Sequence, residues 1–346
     1  MSTSDICLGF FTPTLVTEPD TEFFPHFLIQ NSKFLIIFPC VYASFVVPLC
    51  NNSKIIHLME KTQLNKLIAL WFEEDIRDGD HTSLSCIPET QMGTQQLIIK
   101  EAGILAGVEV AKHIIEYFDP TCQIEVFIQD GEHVQPGDIA FKVYGKELSL
   151  LQIERTMLNI MQRMSGIATT AHKYQSLIAD TQCHVLDTRK TTPGLRYLEK
   201  EAVAIGGGMN HRIGLFDMIL LKDNHVDYAG GITAALTRAQ NYCQEHNKNL
   251  KIEIETRNEE EIREALATNI PDRIMLDNFT PEQTKQAVEI IREWEKDHRH
   301  IEIESSGGIT IDTLHDYAVC GVDYISVGAL THSVKSLDMS FKALKN

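Results

Sequence analysis

Positive charge is what this sequence is short of: 346 residues carry 31 Lys and Arg against 48 Asp and Glu, a formal net charge of -17 at pH 7. Nucleic-acid binding depends on cations that neutralise phosphates, so a polyanion-binding function is excluded. The eight cysteines (Cys7, Cys40, Cys50, Cys86, Cys122, Cys183, Cys243, Cys320) form no C-x-x-C pair and no Cys/His zinc spacing. That excludes a zinc module and points to reduced thiols in a cytoplasmic protein. A membrane span is excluded too, because the one long apolar run, Phe34 to Cys50, is broken by Pro39 and Pro48 and falls short of the roughly 20 residues a bilayer needs. The segment before it is acidic where a secretory signal is positive, and it lacks the arginines of an organellar presequence.

With 43% hydrophobic and 23% charged residues the chain can bury a large core, and its length predicts two domains. Residues 1–58 hold only Asp5, Glu18, Asp20, Glu22, Lys33 and Lys54 as charges and read as a poorly structured extension, absent altogether if translation starts at Met59. Helical patterning begins there, with Leu64, Leu67, Ile68, Trp71 and Phe72 on one face of a helix over 61–74. The acidic stretch 74–83 reads as a solvated loop. Residues 96–145 alternate strand-like runs (97–99, 124–128, 139–143) with one helix near 109–118 and turns at Asp130-Gly131 and Pro136-Gly137. Residues 147–179 read as helices broken near Ser165-Gly166.

From residue 183 onward, six short apolar strands are each followed by polar residues and a helical segment, the pattern of a β/α barrel that is incomplete because eight units close the full form. The expected fold is therefore α/β: an N-terminal α+β sandwich-like domain (59–168), an open, about six-stranded β/α barrel (169–332), and a C-terminal helix (333–346) packing back on the first domain. Barrel strands converge their C-terminal ends on one mouth. Those ends here read Asp187-Thr188-Arg189-Lys190, Lys222-Asp223-Asn224-His225, Glu255, Asp277-Asn278, Ser305-Ser306-Gly307-Gly308 and Gly328. Arg189, Lys190, His211, Arg212 and Lys222 concentrate the scarce cations where an anionic substrate would sit, while Arg196 and Lys200 read as surface residues. Ser306, Gly307, Gly308 and Gly328 suit a phosphate held by backbone N–H groups. Glu255 and Asp277 suit ribose hydroxyls, a Mg²⁺ ion, or both. Glu253 shares the face of Glu255 and reads either as an alternative to it or as a buried partner to a cation.

These strings, together with Glu154-Arg155-Thr156-Met157-Leu158-Asn159, Ser165-Gly166-Ile167-Ala168-Thr169, Thr191-Thr192-Pro193-Gly194, Asn210-His211-Arg212 and Ile252-Glu253-Ile254-Glu255, resemble the quinolinate phosphoribosyltransferase family over residues 60–346. The resemblance implies a decarboxylating transfer of a phosphoribosyl group from phosphoribosyl pyrophosphate to quinolinate, in pyridine nucleotide (NAD) biosynthesis. It implies that Arg189, His211 and Arg212, with Thr188, hold the two carboxylates. Arg155 would reach in from the other subunit of a homodimer, with a hexamer as the alternative assembly. Lys190, Lys222 and His332 would face phosphate, Glu255 and Asp277 would hold ribose and Mg²⁺, and Ser306, Gly307, Gly308 and Gly328 would cradle the 5′-phosphate. Two rivals stay open at this level: a nicotinate-type phosphoribosyltransferase, and a Schiff-base barrel aldolase using Lys190 or Lys222.

Overall fold

The computed structural model describes residues 60–344. The expectations for residues 1–58 therefore lie outside the described residues. Chain order begins with helices α1 (Lys61–Asp75) and α2 (His81–Cys86), strands β1 (Met92–Ile99) and β2 (Gly103–Ile104), and helix α3 (Val108–Phe118). Strands β3 (Gln123–Val126), β4 (His133–Val134) and β5 (Ile139–Lys146) lead into the long helix α4 (Glu147–Ser176). The second half alternates: β6 (His184–Leu186), α5 (Arg196–Ile205), β7 (Ile219–Leu221), α6 (Asp223–Ala229), α7 (Ile232–Glu245), β8 (Ile252–Thr256), α8 (Glu259–Thr268) and β9 (Arg273–Asp277). It ends with α9 (Pro281–Trp294), β10 (Glu302–Ser306), α10 (Leu314–Ala318), β11 (Tyr324–Ser326), α11 (Ala329–His332) and β12 (Met339–Ala343).

The first domain is an antiparallel sheet ordered β12-β1-β5-β3, with α4 packed against β1 and β5 and α3 packed against α4. The second is a parallel sheet ordered β6-β11-β10-β9-β8-β7. Its two edge strands, β6 and β7, do not pair with each other, so the barrel is open as expected. Met209 bridges the free edge of β6 at Leu186, which brings the segment carrying His211 and Arg212 alongside the mouth.

Three expectations are corrected. The C-terminal segment is a strand, not a helix: Met339 and Phe341 are buried while Ser340 and Lys342 are not, a period of 2 that suits antiparallel pairing with β1. Helix α4 runs unbroken through Ser165-Gly166, because Gly166 serves as a point of close approach. A Cβ there would stand 2.2 Å from the Lys335 carbonyl oxygen. The expected loop at 74–83 is partly helical, since Asp80 accepts a hydrogen bond from the Ser83 N–H (3.1 Å) and caps α2.

Candidate active site

A cavity of about 220 Å³ lies at the C-terminal ends of the parallel strands, lined by Thr188, Arg189, Lys190, His211, Arg212 and Lys222 together with Leu220, Glu255, Met275, Ser306 and Ser326. The sequence-predicted cations thus meet in one place. Elsewhere, a groove of about 930 Å³ on the outer faces of α8 and α9 is larger. It is a weaker candidate, because an arginine there, Arg263, is already paired with Glu259 and the neighbouring acids would repel the anions that the mouth attracts.

The first wall is built on Asp187, at the end of β6. Its Oδ1 accepts from Lys200 Nζ and from the His211 N–H (2.9 Å), and its Oδ2 accepts from Asn210 Nδ2 (2.6 Å). Lys200 Nζ also donates to the His211 carbonyl (2.9 Å). Lys200 is wholly buried, which corrects the expectation of a surface residue: its amphipathic helix α5 turns it inward, where Asp187 balances its charge. Arg196 is half-buried, donating to Thr191 Oγ1 (3.0 Å) and the Ile213 carbonyl (3.1 Å). Together these bonds fix the strand end bearing Thr188 and Arg189 against the segment bearing His211 and Arg212. The loop between them is held by Arg163 of α4, which donates to Glu199 (2.7 Å), to Thr192 Oγ1 (3.1 Å) and to the Thr331 carbonyl (3.0 Å).

Arg212 donates to the Met218 carbonyl (3.2 Å) and lies within the field of Arg189. Partial burial and that second guanidinium hold its pKa below the ordinary arginine value. Two planar forks on one wall suit a ligand with two carboxylates. His211 reaches the same wall, but both ring nitrogens face protein. Nδ1 accepts the Arg212 N–H (2.7 Å), so the proton sits on Nε2, which lies 2.9 Å from Glu253 Oε2 and 3.5 Å from Glu304 Oε2. Burial pushes its pKa down, Glu304 opposing and Arg273, Lys200 and Arg212 assisting. The ring is therefore neutral, and it orients Arg212 instead of presenting a nitrogen to the cavity.

Below the mouth the barrel interior is polar. Glu253 and Glu304 are fully buried; burial raises the pKa of each to about 7, with Arg273 opposing for both and the Glu253 charge adding to the rise for Glu304. Arg273 Nη1 donates to Glu304 Oε2 (2.8 Å), its other nitrogens bind Glu302, and its guanidinium lies 4.3 Å from the Tyr324 ring centroid. Ligand atoms of His211, Glu253 and Glu304 lie within 4.8 Å of one another, a spacing a cation can use. Arg273 already supplies the counter-charge there. Ser326 Oγ is hydrogen-bonded to Glu304 Oε1, linking this buried layer to the cavity. Glu253 is thus the buried partner, not a substitute for Glu255.

At the opposite wall Lys222 Nζ pairs with Glu255, and its N–H donates to His225 Nδ1 (2.9 Å), which gives His225 a helix-capping role. Asp277 stands at the end of β9 in register with Ser306, its Oδ2 accepting from Asn278 Nδ2 (2.8 Å). Gly307 adopts φ 99° against Asn278, where a Cβ would be 2.2 Å from Oδ1, and Gly308 adopts φ 63°. A Cβ on Gly328 would meet His332 Nε2 at 3.0 Å and Lys190 Cδ at 3.2 Å, so these three residues converge at the rim. Arg155 does not join the mouth. It is exposed on α4, in a groove shared with Trp71, Glu74 and Asp75 of α1.

Sequence reasoning missed Ser326, Glu304, Arg273 and the inward role of Lys200. A signal was present: Glu253/Glu255, Glu302/Glu304 and Tyr324/Ser326 alternate with isoleucines, whereas a parallel sheet buried on both faces is ordinarily apolar throughout.

Residues 167–342 match the family profile described as quinolinate phosphoribosyl transferase, C-terminal domain, and residues 80–165 match the N-terminal domain of the same family. The division falls inside the continuous helix α4. The chain is 42% identical over 282 residues to a probable nicotinate-nucleotide pyrophosphorylase [carboxylating] of Bacillus subtilis, covering 82% of this chain and 94% of that one. It is also 42% identical over 294 residues to the chloroplastic nicotinate-nucleotide pyrophosphorylase [carboxylating] of Arabidopsis thaliana, covering 81% and 82%. Among solved structures, NadC from Streptococcus pyogenes superposes with a TM-score of 0.77 at 35% identity, covering 83% of this chain and 99% of that one.

Proposed function

The chain belongs to the quinolinate phosphoribosyltransferase family, and from that premise we infer how its mouth carries out the family's reaction. It is a pentosyltransferase of NAD biosynthesis that joins quinolinate to phosphoribosyl pyrophosphate, giving nicotinate mononucleotide, CO₂ and pyrophosphate. The observation that carries the assignment of roles is the pair Arg189 and Arg212 on one cavity wall, in a chain of net charge -17. Two guanidiniums with the Thr188 hydroxyl match two carboxylates, which favours quinolinate over the monoacid nicotinate. The aldolase alternative is disfavoured by Lys222, whose Nζ is engaged by the Glu255 carboxylate, whereas a Schiff-base lysine must offer a free amine to its carbonyl substrate.

In the first stage the forks of Arg189 and Arg212 hold the diacid so that its ring nitrogen faces C1 of the ribose, converting a bimolecular encounter into a positioned one. Lys190, Lys222 and His332 meet the phosphates, and the N–H groups around Ser306, Gly307, Gly308 and Gly328 hold the 5′-phosphate. Glu255 and Asp277 offer two hard oxygen donors at neighbouring strand ends, fewer than Mg²⁺ takes, which suits an ion whose remaining ligands are water and substrate oxygens. When bound, Mg²⁺ supplies positive charge to the departing pyrophosphate. In the second stage the ring nitrogen has become cationic, and the adjacent carboxylate leaves as CO₂.

Arg155 projects from α4 away from its own mouth, so a second copy of the chain is what would present it to one. This supports a dimer as the functional unit. Among the described residues no helix is long and apolar enough to cross a membrane. The thiols Cys86, Cys122, Cys183, Cys243 and Cys320 are free, which supports a reducing, cytoplasmic setting.

The test is pyrophosphate and CO₂ release from quinolinate and phosphoribosyl pyrophosphate with Mg²⁺, repeated with Arg189→Ala. Nearly complete loss is expected. Unchanged turnover would overturn the carboxylate clamp.

A further inference from the structure

Loss of CO₂ leaves an electron pair on the ring carbon, and that carbon must then receive a proton. The groups lining the cavity differ greatly in their fitness to supply it. Arg189 and Arg212 do not release protons near neutral pH. Lys222 Nζ is engaged by Glu255, Lys190 points to the Gly328–His332 rim, and both His211 nitrogens face protein. Thr188 Oγ1 accepts the Lys190 N–H (3.0 Å), and no acid stands behind Ser306 Oγ among the described hydrogen bonds. Among the lining hydroxyl groups Thr188, Ser306 and Ser326, Ser326 is the one with a buried carboxyl group, Glu304, in direct hydrogen-bond contact behind it. It also sits opposite Leu186 in register, beside the strand end that carries Thr188 and Arg189.

We propose that Ser326 and Glu304 form a proton relay that protonates the ring carbon after decarboxylation. The inference rests on the diacid lying against Arg189 and Arg212. The bond from the ring carbon to its carboxyl group breaks and its electron pair stays on the ring as CO₂ departs. The Ser326 hydroxyl proton then forms the new C–H bond, and the Glu304 carboxyl proton replaces it on Ser326 Oγ. Glu304 is left as a carboxylate against Arg273, and water entering the emptied cavity returns a proton through Ser326.

The surroundings of Glu304 suit this role. Glu253 from β8, Arg273 from β9, His211 from the segment after α5 and Ser326 from β11 all face it. Burial and the Glu253 charge raise its pKa, whereas Arg273 lowers it, and the balance near 7 leaves a population protonated at neutral pH. Arg273 bonds Oε2, leaving Oε1 to Ser326. In the structure the Ser326 hydroxyl donates to Oε1, and the relay requires this bond to reverse, with protonated Glu304 donating to Oγ while the hydroxyl turns to the cavity.

The test is single-turnover measurement of pyrophosphate, CO₂ and nicotinate mononucleotide with the full chain and its Ser326→Ala, Ser326→Thr and Glu304→Gln variants. Pyrophosphate release should stay within about threefold of wild type in Ser326→Ala, while nicotinate mononucleotide forms about 10²-fold more slowly and the ribosylated diacid accumulates. Ser326→Thr keeps the hydroxyl and should recover most of the second step. In wild type the second step should slow as pH rises through about 7, a dependence that both Ser326→Ala and Glu304→Gln should lose. If Glu304→Gln fails to fold, Ser326→Ala decides alone. Equal slowing of both steps, or of neither, would overturn the relay. Failure of the underlying substrate reading shows differently, as no pyrophosphate released by the wild-type protein from quinolinate.

Discussion

Lys200 and Asp187 form an ion pair in which both side chains are completely removed from solvent, and the same lysine also holds the His211 carbonyl. The pair joins helix α5 to the end of β6 and sets where Arg212 begins. Breaking it from one side strands a buried charge, so Lys200→Met should cost about 3–5 kcal/mol in urea unfolding. The double variant Lys200→Met/Asp187→Leu should recover much of that stability without recovering turnover, because Asp187 also holds His211 and Asn210. Recovery of both together would argue against a positioning role.

Gly166 allows α4 to touch the backbone of Lys335, just before β12. Alanine is ordinarily the better helix former by about 1 kcal/mol. Here its Cβ would overlap a carbonyl oxygen held in place by the Leu337 N–H bond to the Gln162 carbonyl (2.9 Å) nearby. Gly166→Ala should therefore destabilise by about 1–3 kcal/mol, read as a lower thermal midpoint. A raised midpoint would show that the contact yields easily.

Glu201 is buried away from the mouth, and burial together with the Asp130 charge raises its pKa to about 7 from an ordinary 4.5. The folded state thus binds a proton more tightly than the unfolded state does. Its contribution is present below about 4.5 and is lost as pH rises through about 7. Glu201→Gln mimics the protonated form. It should match wild-type stability at acidic pH and exceed it above neutrality, by denaturant unfolding at both extremes. Equal stabilities at both would place the proton elsewhere.

Arg155 and Arg189 should complement each other between subunits. Each alanine variant alone should be inactive. Mixed after dissociation and reassociation, they should regain about a quarter of wild-type turnover, because half the dimers are mixed and each has one intact site. A mixture as inactive as its components would place Arg155 outside the neighbouring mouth.

Much of the candidate mouth was legible in the sequence because β/α chemistry is local to strand ends: each apolar run announced where Thr188, Lys222, Glu255 and Ser306, which line the cavity, and Asp277 and Gly328, at neighbouring strand ends, would emerge. The open six-stranded barrel followed from the count of such runs. The sequence alone could not tell which charges turn inward. Lys200 and Arg196 stand on the same short helix, yet one is wholly buried and the other half-buried, since only packing of α5 against α4 sets the helix rotation. Tertiary structure likewise made Gly166 a contact instead of a break, paired the C-terminal residues with β1 as a strand, and turned both nitrogens of His211 away from the cavity. Each of these depends on a partner far away in the chain, and only the folded barrel, with Glu304 placed behind Ser326, brings such partners within reach.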